Sequence, residues 1–293
     1  MAGAGELLAD ERDARQRLAA STALARERAT VRHGCGPVKK SATGAVHGPV
    51  AADTGLPEPA ARSPGVRLLV VCHTHPRFSR GGAEITAYET FRRAAAQPGV
   101  EAWFFASNGK AHGAKIGVSV QQPFGPREFV HTGEAYEQFK LSNPDPAFER
   151  EFGRVLREVR PDVVHFHHYL GVGVEAFLYV RRHAPQAQVI LTLHEYLIIC
   201  NHHGQMVTRP NLDLCKTASP QRCGRCFPEQ APQLFFLRRL WLQRFLREVD
   251  TFIAPSNFLK ERYVAWGLDP AKIVVLENFL PHEQARTACG DAA

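Results

Sequence analysis

Along the chain, solid apolar runs alternate with segments whose apolar residues recur every three or four positions. "VRLLVVC" at 66–72 is mostly apolar and β-branched, which predicts a strand buried on both faces. "GGAEITAYETFRRAAAQPG" predicts a helix from Gly82 to about Ala96, stopped by Pro98-Gly99. "EAWFFAS" predicts a second strand, while residues 108–145 show no clear period and suggest loop with short pieces of structure. In "PAFEREFGRVLREVRP", Phe148, Phe152, Val155, Leu156 and Val159 fall at helical spacing and Pro161 ends the run. Then follow a strand in "DVVHFH", a helix in "VEAFLYVRRHA", a strand in "AQVILTLH" and a helix in "QLFFLRRLWLQRFLREV". "DTFIAPS" is a strand, "SNFLKERYVAWG" a helix with Ser256 as its N-cap, and "KIVVLEN" a last strand.

Strands that alternate with helices and are apolar throughout imply a parallel sheet covered on both sides, linked by right-handed crossovers. The expected fold class is therefore α/β, a Rossmann-like parallel sheet with helices on both faces, over residues 66–281. Residues 1–65 contain no aromatic residue or isoleucine and only five leucines. Such a stretch cannot bury enough surface to offset its ordering entropy, so a disordered or weakly helical leader is expected. Residues 282–293 form a short tail.

Composition narrows the function classes. The leader has no apolar h-region of a signal peptide, and no run approaches the ~20 apolar residues of a membrane span. The 36 basic and 29 acidic residues give a net charge of +7, which suits phosphorylated ligands, anionic membranes or nucleic acid. No recognised nucleic-acid motif accompanies it, so no nucleic-acid partner is expected. Seven cysteines without an export signal point to a reducing, cytoplasmic setting.

The chemistry-bearing residues gather at predicted strand ends. His73 and His75 follow the first strand, His167 and His168 close "DVVHFHH", and His194 closes "VILTLH". In an open parallel sheet, ligands bind at the carboxyl ends of strands where chain order reverses. Strand alternation puts His165 and His167 on one face and His168 on the other. A single strand-end histidine is more often structural than catalytic, but polar rings ending three strands favour a ligand cleft. Gly81 and Gly82 precede the first helix, where amides without Cβ obstruction could cradle a phosphate. A glycine pair before a helix is also ordinary turn chemistry, and neither G-x-G-x-x-G nor a P-loop lysine is present.

The ordered set "GGAE", "PDVVHFHH", "TLHEY", "APSNFLKE" and "VVLENFLP" resembles the N-terminal, acceptor-side domain of GT-B glycosyltransferases of the group-1/family-4 type. The likeness covers about residues 66–281. It implies one half of a GT-B architecture: this domain holds a glycan or lipid-linked acceptor, a second domain holds most of a nucleotide-sugar donor, and transfer retains anomeric configuration. Carried over by motif, His194 and His167 would be catalytic, while Gly81, Gly82, Glu84 and Glu195 would contact the donor, with Glu195 standing where the family often has Asp. The family's donor domain carries an E-x7-E pair, and no two glutamates of this chain have that spacing. The resemblance therefore implies an absent C-terminal donor domain, with little transfer expected from this chain alone. A polysaccharide or lipid-linked glycan would be the product.

Two alternatives belong to other classes: a non-catalytic binding or assembly module, including a split-enzyme subunit paired with a separate donor-domain chain, and a metal-dependent hydrolase built on His73, His75, His167 and His194. The second lacks the carboxylate constellation such chemistry needs.

A cysteine-rich insert, residues 200–230, follows "TLHEYLII". Cys200, Cys215, Cys223 and Cys226 form C-x14-C-x7-C-x2-C, a spacing that suits a structural zinc site, with His202 or His203 able to replace one thiolate. Free thiols or a redox pair are the competing assignments. Cys72 suits a buried strand, and Cys35 and Cys289 show no comparable spacing. Finally, "QLFFLRRLWLQRFLREV" places Leu234, Phe235, Leu237, Trp241, Leu242, Phe245 and Val249 on one face and Arg239, Gln243, Arg244 and Arg247 opposite, with Phe236 and Leu240 among the arginines. This predicts a sheet-covering helix; its apolar and basic outer side would also suit peripheral contact with an anionic inner membrane face.

Overall fold

A computed structural model describes residues 65–109, 119–133, 135–209 and 211–279. The leader expected over 1–65 falls outside the described residues except Gly65, as do the tail, Cys35 and Cys289.

The chain builds one eight-stranded sheet in the order β3-β4-β2-β1-β5-β6-β7-β8. The strands are β1 (Val66–Cys72), β2 (Val100–Asn108), β3 (Val120–Gln121), β4 (Glu128–Thr132), β5 (Val163–Phe166), β6 (Gln188–Thr192), β7 (Thr251–Ala254) and β8 (Ile273–Val275). Every pairing is parallel except β3 with β4. The helices are α1 (Gly82–Ala95), α2 (Pro146–Val159), α3 (Ala176–His183), α4 (Pro220–Cys226), α5 (Pro232–Leu246) and α6 (Asn257–Trp266). From β1 the chain moves out to β2 and β4, then returns through α2 to β5 on the other side of β1. The reversal of strand order thus falls between β1 and β5, where a parallel sheet opens a crevice at its carboxyl edge.

Alternation along the strands divides the core. Val70, Cys72, Ala102, Phe104 and Ala106 pack with Ala87 and Phe91 of α1. Leu69, Val71, Phe105, Val164, Phe166, Leu191 and Phe252 face a larger cluster with Phe152 and Leu156 of α2, Phe177 of α3, Leu242 of α5 and Tyr263 of α6. Each fully buried Phe or Leu contributes about 1.5–3 kcal/mol. The parallel α/β fold expected from the apolar runs is what these two layers produce. Helix ends follow local chemistry: Asp145 accepts from the amide of Ala147 at 2.8 Å, and Ser256 accepts from that of Leu259 at 3.2 Å, as its N-cap position predicts.

Three elements differ from the sequence expectation. Residues 128–132, inside the stretch expected to be loop with short pieces of structure, form a full sheet strand, because β4 gains its backbone partners from β2, Phe104 pairing with Glu128 and Asn108 with Thr132. The cysteine insert is not bare loop: it holds α4 and an antiparallel bridge between Val207 and Leu214. Helix α5 is rolled relative to the apolar face assigned to it. Phe235, Leu242 and Phe245 are buried, but Leu234 and Leu237 are 44% and 56% exposed, and Arg238 is buried in their place. The cause is a set of carbonyls that need donors: the Arg238 guanidinium bonds to the oxygens of Phe139 (2.5 Å), Leu197 (2.7 Å) and Ile198 (2.8 Å).

Candidate functional site

The carboxyl ends of β1, β5 and β6 bring the histidines together. His167 Nδ1 lies 3.2 Å from His194 Nε2, and their rings stack 5.4 Å apart. Beneath them His165 sits 4.2 Å from the His167 ring, with its Nε2 2.8 Å from Thr192 Oγ1. His165 and His167 therefore share a face, as strand alternation requires. His168 turns away, its ring tilted against that of His73 with centroids 4.4 Å apart, and its Nδ1 accepts from the amides of Tyr169 (3.0 Å) and Leu170 (3.2 Å). His75 is not part of this group. It is buried, its Nε2 is 2.9 Å from Glu128 Oε2, and its ring stacks on Phe124 at 4.4 Å. The four-histidine metal centre considered for a hydrolase thus does not converge.

Helix α1 brings the glycines to the same rim. Gly81 is its N-cap, in extended conformation, and Glu84 in the first turn is buried. The Glu84 carboxylate folds back over Gly81: a Cβ there would stand 2.6 Å from Glu84 Oε2. It also accepts from Ser79 Oγ at 3.2 Å and lies 3.4 Å from His73 Nε2. An acidic side chain in a first helical turn offsets the positive end of the helix. Gly82, by contrast, faces open space, with nothing within 4 Å of a Cβ placed on it. His194 lies within electrostatic reach of both His73 and Glu84, so the glycine end of α1 and the end of β6 share one edge of the sheet.

Glu195, expected to contact the donor, is held by several bonds within the chain. Its carboxylate accepts from Tyr169 Oη at 2.6 Å and from the Leu197 amide, and its backbone oxygen accepts from Tyr263 Oη at 2.7 Å. Arg238 holds the carbonyls of Leu197 and Ile198, just beyond Glu195. The sequence reading missed Tyr169, Tyr263 and Arg238; the one signal for Tyr169 was its place directly after the histidine run.

Burial sets the charge of the rim. It lowers His194 to about 4, with His73 lowering it further and Glu84 opposing, and it lowers His165 to about 3. His167 and His168 are held well below the ordinary histidine range, first by burial and then by neighbouring histidines. Near neutrality these rings are therefore uncharged, each with one donor and one acceptor nitrogen. Burial raises Glu195 to about 6 against the bonds from Tyr169 and Leu197. Apart from the Glu84 carboxylate, the rim's histidines thus offer uncharged donors and acceptors.

Two cavities lie elsewhere, and neither is lined by His167 or His194. One of about 190 Å³ sits on the carboxyl edge beside β2 and β4, lined by Phe78, Phe124, Asn108, Gln121, Thr132 and neighbours. The other, about 290 Å³, lies in the insert and is lined by all four insert cysteines. Among the described residues, no three His, Cys, Asp or Glu side chains are arranged to hold a metal ion, and no helix is long and apolar enough to cross a membrane.

A parallel α/β sheet whose strand order reverses beside a polar carboxyl edge belongs to the class of open α/β domains that bind ligands at the strand ends. The family model for Glycosyltransferase Family 4 matches residues 80–284, well over half of the chain. The chain belongs to that glycosyltransferase family. Among solved structures it is similar to the lipopolysaccharide outer core galactosyltransferase WaaB in its apo form, at 15% identity and a TM-score of 0.37, over 73% of this chain and 46% of that one. It is also similar to HepE of Anabaena in complex with UDP (12%, TM-score 0.41, 77% and 50%) and to UDP-GlcNAc 2-epimerase from Methanocaldococcus jannaschii (14%, 0.37, 72% and 45%). The chain spans about half the length of these structures. Among curated proteins nothing matches it.

Proposed function

We propose that this chain forms the acceptor-side wall of a retaining, nucleotide-sugar-dependent glycosyltransferase that extends a polysaccharide or lipid-linked glycan. The observation that carries the proposal is the His167–His194 pair standing on one rim with His73, Glu84 and the α1 glycines. Neutral His194 offers one nitrogen to a sugar hydroxyl while His167 fixes the other. Glu84, whose carboxylate already fills the space over Gly81, accepts a second hydroxyl. The donor diphosphate approaches the amides on the open Gly82 side. Glu195 and Arg238 act on the rim by holding its backbone. The aromatic and amide lining beside β2 and β4 suits an acceptor sugar, whose apolar ring face stacks on Phe124 while Asn108 and Gln121 meet its hydroxyls. In transfer with retention, the acceptor hydroxyl is steered to the face from which the diphosphate departs.

No E-x7-E pair occurs in these 293 residues, so we assign most of the donor contacts to a second wall supplied by another domain or chain. The same observation favours a second reading, a binding or assembly subunit that presents an acceptor to a partner carrying that pair. We place the protein in the cytoplasm, touching an anionic membrane face through Phe236, Leu237 and Leu240, which are exposed beside Arg244 and Arg247. Leu240→Glu should then abolish cosedimentation with anionic vesicles, and undiminished binding would remove the membrane contact.

Calorimetric titration and turnover assays with the purified chain test the main proposal. Glycan fragments should bind, and Phe124→Ala should weaken binding by about tenfold, the equivalent of about 1.4 kcal/mol. UDP-, GDP- and ADP-sugars should show negligible turnover with the chain alone. Turnover without a second protein would contradict the division between two walls, and glycan affinity indifferent to Phe124 would remove the acceptor site.

A further inference from the structure

We infer that Cys200, Cys215, Cys223 and Cys226 form a tetrathiolate site for a structural zinc ion, separate from the sugar-transfer rim and independent of its assignment. Four cysteines from three different pieces of the insert line a single cavity of about 290 Å³. Cys200 follows the β6 rim, Cys215 leaves the Val207–Leu214 bridge, and Cys223 and Cys226 stand one turn apart on α4. All four are free thiols.

The surroundings suit a thiolate cluster. The backbone amide of Arg209 donates to Cys226 Sγ at 3.2 Å, a bond that strengthens as the sulfur gains charge. Arg222 and Arg225 line the same cavity. Four thiolates around one divalent ion carry a net charge of −2, which these cations and the buried guanidinium of Arg238 partly offset. The insert's two histidines stand outside that lining. His202 Nδ1 is 2.9 Å from the Val207 oxygen and its ring meets Phe227 edge-on, and neither His202 nor His203 lines the cavity. The ligand set is therefore four sulfurs, not three and an imidazole.

The insert also needs a staple. His203, Met206 and Leu212 adopt positive φ, and Leu212 and Leu214 are 71% and 81% exposed, so little apolar burial holds the segment. The thiols stand around the cavity without the spacing of bound ligands, and binding must draw them in to Zn–S distances of about 2.3 Å. Each sulfur that binds releases its proton to solvent, so uptake of one ion frees up to four protons, with no oxidant or reductant required.

Metal analysis of the full chain, purified under reducing conditions without chelator and then dialysed against zinc, tests this directly. About one zinc per chain should remain, and less than about a tenth of an equivalent overturns the inference. Replacement by cobalt should give thiolate-to-cobalt charge transfer with a tetrahedral ligand-field spectrum; a spectrum without charge transfer, or a disulfide between any two of the four in this protein, also overturns it. These arms use the unaltered chain and decide the matter even if variants misfold. Cys226→Ser should lose the metal while the sheet keeps its circular dichroism, and His202→Ala should retain it. Equal metal loss in both variants would contradict the four-sulfur assignment.

Discussion

His167 Nδ1 and His194 Nε2 meet at 3.2 Å across the ends of two adjacent parallel strands, although 27 residues separate them in sequence. Since burial keeps both rings uncharged near neutrality, one nitrogen of the pair must carry the shared proton and the other must accept it. The pair fixes which nitrogen His194 presents to a ligand. His167→Phe would keep the volume but leave His194 without its partner. The expected loss is about 1–3 kcal/mol of stability by urea unfolding, together with a change in the His194 tautomer read from ring ¹⁵N shifts. His167→Gln, which can still bond, should lose less and preserve the tautomer.

Acid should unfold the domain earlier than its carboxylates alone would dictate. His131 is buried and lowered from 6.5 to about 4, chiefly by desolvation, and His194 and His165 are lowered in the same way. A depressed histidine stabilises the folded state above its unfolded value and loses that contribution as pH falls through the folded value. His131 alone contributes about 3 kcal/mol that disappears between pH 6.5 and about 4. Glu195, raised from 4.5 to about 6, works the other way: its contribution is full below 4.5 and lost as pH rises through 6. One carboxylate opposes several histidines, so stability measured by denaturant should fall steadily below pH 6.5, and His131→Phe should flatten that fall. Unchanged stability down to pH 4 would contradict the buried neutral rings.

Arg238 should prove the most sensitive position outside the strands. Its guanidinium serves three carbonyls from two separate segments, Phe139 and Leu197–Ile198. Arg238→Met strands those oxygens, at a cost of about 3 kcal/mol or more, and should raise amide exchange selectively through residues 195–206. Arg238→Lys should rescue little, because one ammonium cannot span the fork. Exchange unchanged in that segment would count against the clamp.

Two glycines should separate rim chemistry from backbone geometry. Gly82→Ala meets open space and should change stability by no more than about 0.5 kcal/mol. Gly173 has φ 84°, and a Cβ there would lie 2.6 Å from the Asn143 amide nitrogen, so Gly173→Ala should cost about 2 kcal/mol or more by thermal unfolding.

The parallel sheet was legible because β1, β2, β5, β6 and β7 are apolar runs whose neighbours lie at helical spacing. β4 was not, since "REFVHT" carries no period and becomes a strand through its backbone bonds to β2. The clustering of His167, His194 and the α1 glycines could be read from strand ends alone. The roll of α5 could not: Leu237, expected on the apolar face, is exposed and Arg238 is buried because carbonyls distant in sequence demand donors, and no local pattern records that demand. Glu195 was legible as a rim residue, but its engagement by Tyr169 depends on a contact between two strand ends.

Histidine ring spectra of the ¹⁵N-labelled full chain, titrated with glycan fragments and a nucleotide-sugar, probe the rim most directly. Binding at the ends of β1, β5 and β6 predicts that His73 and His194 shift progressively while the remote ring of His183, on α3, stays fixed. Saturation that moves only His183 would place the ligand elsewhere and contradict the assignment of this edge to sugar transfer.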